Sequence, residues 1–184
     1  MELTNDVCEI SIIPAVTYSL NSPDNRHYDF EYNPENHSQH DFWDAFHIHI
    51  DLFIKEYDIV LVGEYTKEVL DHAVLEGNVL TVMMGCEVSQ IDITTGEMTL
   101  HRRFECFGST FGIYPIQDGY IIWGELEIIR LNAGLEKCWS FSGRDIFVSN
   151  SGKEPFEICE NSIKLNDWED NFYELDFNGR LISG

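Results

Sequence analysis

The chain has few basic side chains and many acidic ones. Lysine and arginine number 11 against 33 aspartates and glutamates among 184 residues, which gives a formal net charge of −22 at pH 7. A surface that binds nucleic acid needs lysines and arginines to displace the counterions of the phosphate backbone, and anionic lipid headgroups attract the same side chains. The charge therefore argues against nucleic acid and against a membrane surface as partners.

Long apolar runs and closely spaced cysteines are also lacking. The most apolar stretch, residues 48–62, contains five polar or charged side chains, whereas a membrane-spanning helix needs roughly 20 predominantly apolar residues. The first 20 residues include Glu2, Asp6 and Glu9 and do not form the basic and apolar regions of a secretory signal. The five cysteines include no CxxC pair and are odd in number. This pattern argues against a disulfide framework and predicts a cytoplasmic protein.

Helical periodicity is missing after residue 66. Short apolar runs alternate there with glycine, asparagine and aspartate clusters, the pattern of antiparallel β-structure. Gly77-Asn78, Asp118-Gly119 and Asn178-Gly179 supply the positive-φ residues that tight hairpins require. We predict a series of short strands, including one over Glu68–Leu75 and one over Asp145–Ser149. The expected fold is all-β, with antiparallel hairpins that form a sandwich, an open barrel or a partial propeller.

The first third of the chain differs from the rest. Helical and alternating patterns both fit residues 40–55, and the alternation of Phe46, Ile48, Ile50 and Leu52 favours a strand. We predict that this strand begins near Ala45 and pairs with residues 59–65 across a turn at 55–58. Residues 21–39 are predicted to be a long loop. The organisation we expect is a single domain, 1–184, with an acidic N-terminal part over 1–65, containing a hairpin or a short helix, and β-hairpin repeats over 66–184.

A weak internal repeat runs through these hairpins. The segments 79–82 and 88–97 recur as 120–123 and 126–135, and Gly96 and Gly134 are 38 residues apart. We interpret residues 162–179 as a third, decayed copy. The turn sequence Asp-x-x-Thr-Gly is complete at Asp92–Gly96, whereas the second copy has Arg130 and Ala133 in place of its aspartate and threonine. A repeat of this length is typical of stacked supersecondary units.

This order of strands and turns resembles a blade of the quinoprotein-like and WD-type β-propellers. In such blades the Asp-x-x-Thr-Gly turn closes the hairpin between the second and third or the third and fourth strands. The resemblance covers residues 66–183 and implies blade-like sheets. A closed propeller takes at least four blades, which is more than this chain can form. The cofactor residues of quinoproteins come from several blades that are absent, so we expect no cofactor.

One histidine cluster could bind a metal ion. His47, His49 and Asp51 form an HxHxD sequence, which on a strand places all three side chains on one face at the spacing of metal-dependent hydrolases. The opposite face is wholly apolar, so a half-buried strand with its polar side in water explains the same residues without a metal. Only His72 and His101 follow downstream, fewer histidines than HxHxD hydrolases have. We favour the solvated face and keep the metal site as the alternative.

Other candidates have structural explanations. Glu125 and Glu127 could be paired carboxylates for acid–base chemistry, and we interpret them as an exposed pair on one strand face. The acidic turn 167–171 lacks the ligand order of a calcium loop and is interpreted as solvated. Trp123 and Trp139 lie in apolar runs and are expected in the core. No nucleophile motif or phosphate-binding glycine loop is present, so an enzyme is the less favoured hypothesis.

The negative charge is concentrated at the start of the chain. Residues 1–76 carry 16 acidic and three basic side chains, and a folded face of this density accelerates encounter with a basic protein. By size and charge the chain also resembles small acidic bacterial immunity proteins, which block a basic toxin. We therefore predict a non-catalytic interaction domain with a basic protein partner. The alternatives are a metal-dependent hydrolase that uses the HxHxD segment and a propeller fragment that associates with copies of itself.

Overall fold

The computed structural model describes residues 1–66 and 71–184, and every regular element in these ranges is a β-strand. The predicted all-β class is therefore confirmed, while the first part of the strand predicted over Glu68–Leu75 lies outside the described residues. No helix in the described ranges is long and apolar enough to cross a membrane. The chain divides into two compact units, Met1–Arg103 and Phe104–Gly184. The domain division predicted from the sequence stays a prediction.

The first unit contains a five-stranded sheet. Its strands are β1 (Glu2–Thr4), β2 (Glu9–Pro14), β3 (Phe30–Tyr32), β4 (Trp43–Asp51) and β5 (Glu56–Glu64), in the spatial order β1-β2-β4-β5-β3. The hairpin β4–β5 is the longest and includes the strand predicted from alternation. Its turn lies at residues 52–55, earlier than predicted, and this shift changes which side chains face each other.

The strand β3 corrects the prediction of a continuous loop over residues 21–39. It pairs in parallel with β5, with Phe30 opposite Ile59. Three residues beside a distant parallel partner leave no alternating pattern for sequence analysis to detect.

The second sheet of this unit is four-stranded and antiparallel. It comprises β6 (Ala73–Glu76), β7 (Val79–Met84), β8 (Glu87–Asp92) and β9 (Met98–Arg103), in sequence order. Buried side chains from both sheets form one core; they include Ile10, Ile12, Phe46, Ile48, Ile50, Ile59, Leu80, Val82 and Ile91. Since one face of the five-stranded sheet packs into this core, the alternate side chains of β4 point away from it.

The second unit contains two more four-stranded antiparallel sheets. The first comprises β10 (Thr110–Ile116), β11 (Gly119–Gly124), β12 (Ile128–Asn132) and β13 (Lys137–Phe141), and the second β14 (Phe156–Ile158), β15 (Ile163–Asn166), β16 (Phe172–Leu175) and β17 (Leu181–Ser183). Trp123 and Trp139 are half-buried and pack against the core of this unit. The strand predicted over Asp145–Ser149 is wrong: the segment is irregular, with Phe147 fully buried.

In the part of the chain that the structure describes, three sheets thus have four antiparallel strands in sequence order, the strand pattern of a propeller blade. The repeat unit has a structural counterpart, because in each sheet an Asp or Asn at or just after the end of the third strand caps the turn to the fourth. Asp92 Oδ1 accepts a bond from Thr94 N, Asn132 Oδ1 from Glu136 N and Asp176 Oδ1 from Asn178 N. The equivalent of Asp92 in the second copy is therefore Asn132, and the sequence alignment with Arg130 is two residues out of step.

The cysteines differ from expectation. Cys8, Cys138 and Cys159 are free thiols, whereas Cys86 and Cys106 are disulfide-bonded. The expectation that the chain has no disulfide framework is therefore wrong for these two residues.

Candidate functional site

The HxHxD segment lies on β4 with the predicted alternation. Phe46, Ile48 and Ile50 are fully buried, while His47 and His49 are half-buried on the opposite face. The period-2 geometry of a strand accounts for both faces.

A residue that the sequence analysis missed, Asp58, brings the two imidazoles together. His49 lies directly opposite Asp58 across the β4–β5 hairpin. Asp58 Oδ1 lies 2.6 Å from His47 Nε2 and 3.0 Å from His49 Nδ1, so one carboxylate oxygen accepts bonds from both rings. The predicted turn included Asp58, and a residue within a turn has no cross-strand partner to predict.

The segment before β3 completes this cluster. Arg26 Nη2 donates to Asp58 Oδ2 at 2.6 Å, and Asp58 N donates to Asp29 Oδ2 at 2.8 Å. The ring of Tyr28 meets that of His47 edge-on at 5.6 Å. Both carboxylate oxygens of Asp58 are thus hydrogen-bonded. The cluster therefore holds residues 26–29 against the sheet.

The surroundings of Asp58 favour its ionised form. Burial alone would raise the pKa of this carboxyl, but the hydrogen bonds from His47 and His49 and the charge of Arg26 outweigh burial and hold the pKa below its ordinary value.

We expect Asp58→Asn to destabilise the first unit by roughly 2 kcal/mol near neutral pH, because hydrogen bonds to charged groups contribute about 1.5–3 kcal/mol. A carboxyl whose folded pKa is depressed stabilises the fold above its unfolded pKa of about 3.9, and this stabilisation is lost as the pH falls through the folded value. The wild type and Asp58→Asn should therefore converge in acid. Denaturant unfolding at several pH values measures this, with exposed Asp24→Asn as the control; a difference that persists unchanged in acid would contradict the assignment.

Asp51 does not join the imidazoles. It lies opposite Glu9 on one side and Glu56 on the other, and its Oδ1 accepts a bond from Phe53 N at 2.6 Å. Within residues 1–66 and 71–184, no three side chains of His, Cys, Asp or Glu are grouped so that they could hold a metal ion.

The metal hypothesis for His47, His49 and Asp51 stays a prediction with its own test. If it holds, elemental analysis finds a bound metal ion, or added zinc raises the melting temperature of the wild type and not of His47→Ala. No bound metal together with no zinc-dependent shift would remove the hypothesis.

Carboxylates form a row across the same sheet face. Glu9, Asp51 and Glu56 occupy neighbouring positions on β2, β4 and β5; we call them the acidic ladder. Like charges directly opposite each other in a sheet are destabilising. Glu9 and Glu56 are exposed, and with the described residues none of the three forms an ion pair as close as those of Asp58. The ladder therefore concentrates negative charge at one end of the hairpin.

The turn between β4 and β5 adds apolar surface beside this ladder. Phe53 is 58% exposed and Ile54 92%; we call these two residues the apolar turn. Phe53 has φ +64°, a left-handed conformation that a bulky side chain rarely adopts. The bond from Phe53 N to Asp51 and the bond from Leu52 N to Lys55 O, 2.9 Å long, hold this conformation. The apolar turn therefore lies between Asp51 and Glu56 of the acidic ladder, and its Phe53 is both exposed and strained.

A second histidine–carboxylate cluster was also missed. Glu87, at the start of β8, is almost fully buried, and its Oε1 lies 2.8 Å from His37 Nε2. Burial raises the pKa of Glu87 even though His37, His101 and Arg103 act to lower it. Its Oε2 is buried and has no hydrogen-bond partner among the described residues. These contacts tie the loop that contains His37 to the four-stranded sheet, a long-range pairing that no local spacing indicates.

Glu127 and Asp167, both predicted to lie at the surface, are buried and accept hydrogen bonds. Glu125 and Glu127 belong to a turn between strands, so the prediction of a shared strand face is wrong. Glu127 Oε1 accepts a bond from Phe107 N at 2.8 Å. Asp167 is 1% exposed, and its Oδ2 accepts a bond from Tyr173 Oη at 2.8 Å. The interpretation of turn 167–171 as solvated is therefore wrong for Asp167.

Comparison with known proteins gives little further information. No protein-family model and no curated protein matches the chain. Among solved structures the chain is similar to Hsv2 from Kluyvelomyces marxianus, with 10% identity and a TM-score of 0.44. The match covers 84% of this chain and 49% of that one, so the chain spans about half the length of that structure. At this identity and TM-score the likeness carries no conclusion about activity, partners or binding residues.

Proposed function

We propose that this chain is a non-catalytic interaction domain that binds a basic protein through the acidic ladder and the apolar turn. The observation that carries the proposal is the exposed Phe53, held at φ +64° beside the row of carboxylates. Strained conformations persist where the surrounding structure enforces them, and they cluster at binding and active sites.

The charge of the surface supports a cationic partner. Repulsion along the acidic ladder costs stability, and a partner with lysine or arginine side chains would relieve it on binding. The surrounding negative potential also accelerates the encounter with such a partner.

The apolar turn supplies the part of the interface that excludes water. Binding energy in protein interfaces concentrates in a few large apolar or aromatic side chains surrounded by polar ones. Phe53 and Ile54, flanked by Asp51 and Glu56, have this arrangement. A partner that fits has a hydrophobic pocket ringed by basic side chains, and covering those side chains is how an immunity-type inhibitor of a basic toxin would act.

A selection from a random peptide library displayed on phage tests this function. Enriched peptides should contain lysine or arginine together with apolar residues, and their affinity should fall at least tenfold between about 0.1 M and 1 M salt, over which the Debye length shortens from about 10 Å to about 3 Å. The mass of the free protein in solution is measured first, since self-association would bury candidate surfaces. Enrichment of neutral or acidic peptides with salt-independent affinity would contradict the proposal.

A further inference from the structure

Two open strand edges of the first unit line the same cleft. Among the described residues, β9 ends the order of the four-stranded sheet and β3 ends that of the five-stranded sheet, so each has one edge without a neighbouring strand. A cleft of about 410 Å³ is lined by Glu31–Pro34 on one side and by Met98–His101 on the other. Unpaired N–H and C=O groups of an edge strand are a template for a further strand.

The Tyr32 side chain replaces a strand partner at one end of this cleft. Its hydroxyl donates to Gly96 O at 2.9 Å and accepts a bond from Met98 N at 3.1 Å. The first outward N–H of β9 is thus satisfied by a side chain. The edge from Thr99 onward continues along the cleft, and a strand rises about 3.3 Å per residue, so a short extended segment suffices to cover it.

The walls of the cleft are held in place by hydrogen bonds. His101 Nδ1 lies 3.0 Å from Ser89 Oγ, and His101 Nε2 lies 2.9 Å from Glu35 Oε1. The Glu31 carboxylate accepts a bond from Tyr18 Oη at 3.1 Å. Both ring nitrogens of His101 are hydrogen-bonded within the protein, so this side chain holds the wall in place. A bound segment would instead form its hydrogen bonds with the backbone of β9.

The charges around the cleft select the kind of segment that fits. Glu31 lines one wall, Glu35 bonds to His101 on the other, and exposed Glu97 stands where β9 begins. The exposed Arg102 and Arg103 lie at the far end of β9, beyond the residues that line the cleft. Met98 and Leu100 add half-buried apolar surface on the other wall. A segment with alternating basic and apolar side chains matches both, because successive side chains of a strand point to opposite faces.

We propose that this cleft binds an extended, basic segment of a partner protein by adding it as a strand to the open edge of β9. In this mode main-chain hydrogen bonds supply affinity and side-chain contacts supply specificity. The proposal takes the basic character of the partner from the proposed function and assigns a second contact region, separate from the apolar turn.

The probe for this proposal is an acetylated and amidated peptide of alternating lysine and valine, with two controls: a glutamate–valine peptide, and the lysine–valine peptide interrupted by a central proline. Amide hydrogen exchange of the full chain is followed at saturating peptide. We expect the lysine–valine peptide to slow amide exchange at residues 99–103 at least tenfold, and we expect neither control peptide to do so. The exposed Thr99→Lys substitution should weaken that peptide at least fivefold and favour the glutamate peptide, while Val16→Ser, at a site that is 88% exposed, should change neither.

The outcomes separate the two sites. Protection confined to residues 51–56 would overturn the cleft proposal and leave the proposed function standing. If Thr99→Lys did not alter the protection of β9 from amide exchange, or if the glutamate peptide protected β9 equally, the preference of the cleft for a basic segment would be overturned. No protection by any peptide would overturn strand addition.

Discussion

Gly96→Ala should lower the free energy of unfolding of the first unit by roughly 3 kcal/mol. Gly96 has φ +82°, and a Cβ there would lie 2.2 Å from a ring atom of Phe30. A left-handed conformation costs a non-glycine residue about 1–2 kcal/mol, and overpacking adds about 1–3 kcal/mol. The turn that ends in Gly96 is thus built around the short strand β3, which also forms one wall of the cleft.

Gly77→Ala is the matched control for this prediction. Gly77 also has a left-handed φ, +58°, but a Cβ there would meet no atom within 4 Å. It should therefore cost only the conformational strain, about 1–2 kcal/mol. Amide hydrogen exchange of residues in the first unit, measured at increasing denaturant concentration, compares the two variants. Equal destabilisation by both would show that β3 does not pack on the turn.

Phe53→Asn should weaken binding of the selected basic peptides by about 30-fold while leaving stability equal or slightly higher. Truncating an interface hot spot costs about 2 kcal/mol or more, and that energy corresponds to about 30-fold in affinity. Asparagine tolerates positive φ far better than phenylalanine does, so the turn loses its strain and keeps its shape. Affinity and unfolding free energy are measured on the same preparations.

Val16→Ser is the control for the loss of exposed apolar surface. Val16 is 88% exposed and follows β2 at its end, whereas Glu9 of the acidic ladder starts that strand. The Val16→Ser substitution should alter neither peptide affinity nor the free energy of unfolding. If Phe53→Asn lowered stability and left affinity unchanged, Phe53 would be a structural residue of the turn and not a contact residue.

The elements that could be predicted from the sequence are those with local signals. The alternation around Phe46 and Ile48 located β4, and Gly77-Asn78 and Asp118-Gly119 located hairpins, because strand periodicity and positive-φ turns act over a few residues. The strand β3 depends on a partner far along the chain, which no local pattern reveals.

The candidate site was predicted in part for the same reason. His47 and His49 were placed on one face correctly, since that follows from the period of a strand alone. Their partner Asp58 was missed because hairpin register depends on turn length, and the turn at 52–55 is earlier than predicted. The same register brings Glu9, Asp51 and Glu56 into one row, an arrangement that net charge alone does not specify.

Hydrogen exchange of the chain with a selected basic peptide bound tests most directly whether the hairpin tip is a binding surface. If the hairpin tip is the binding surface, the amides of residues 51–56 become protected by the peptide in low salt, and this protection disappears in Phe53→Asn. Protection of the wild type that avoids residues 51–56, or that is undiminished in Phe53→Asn, would contradict it.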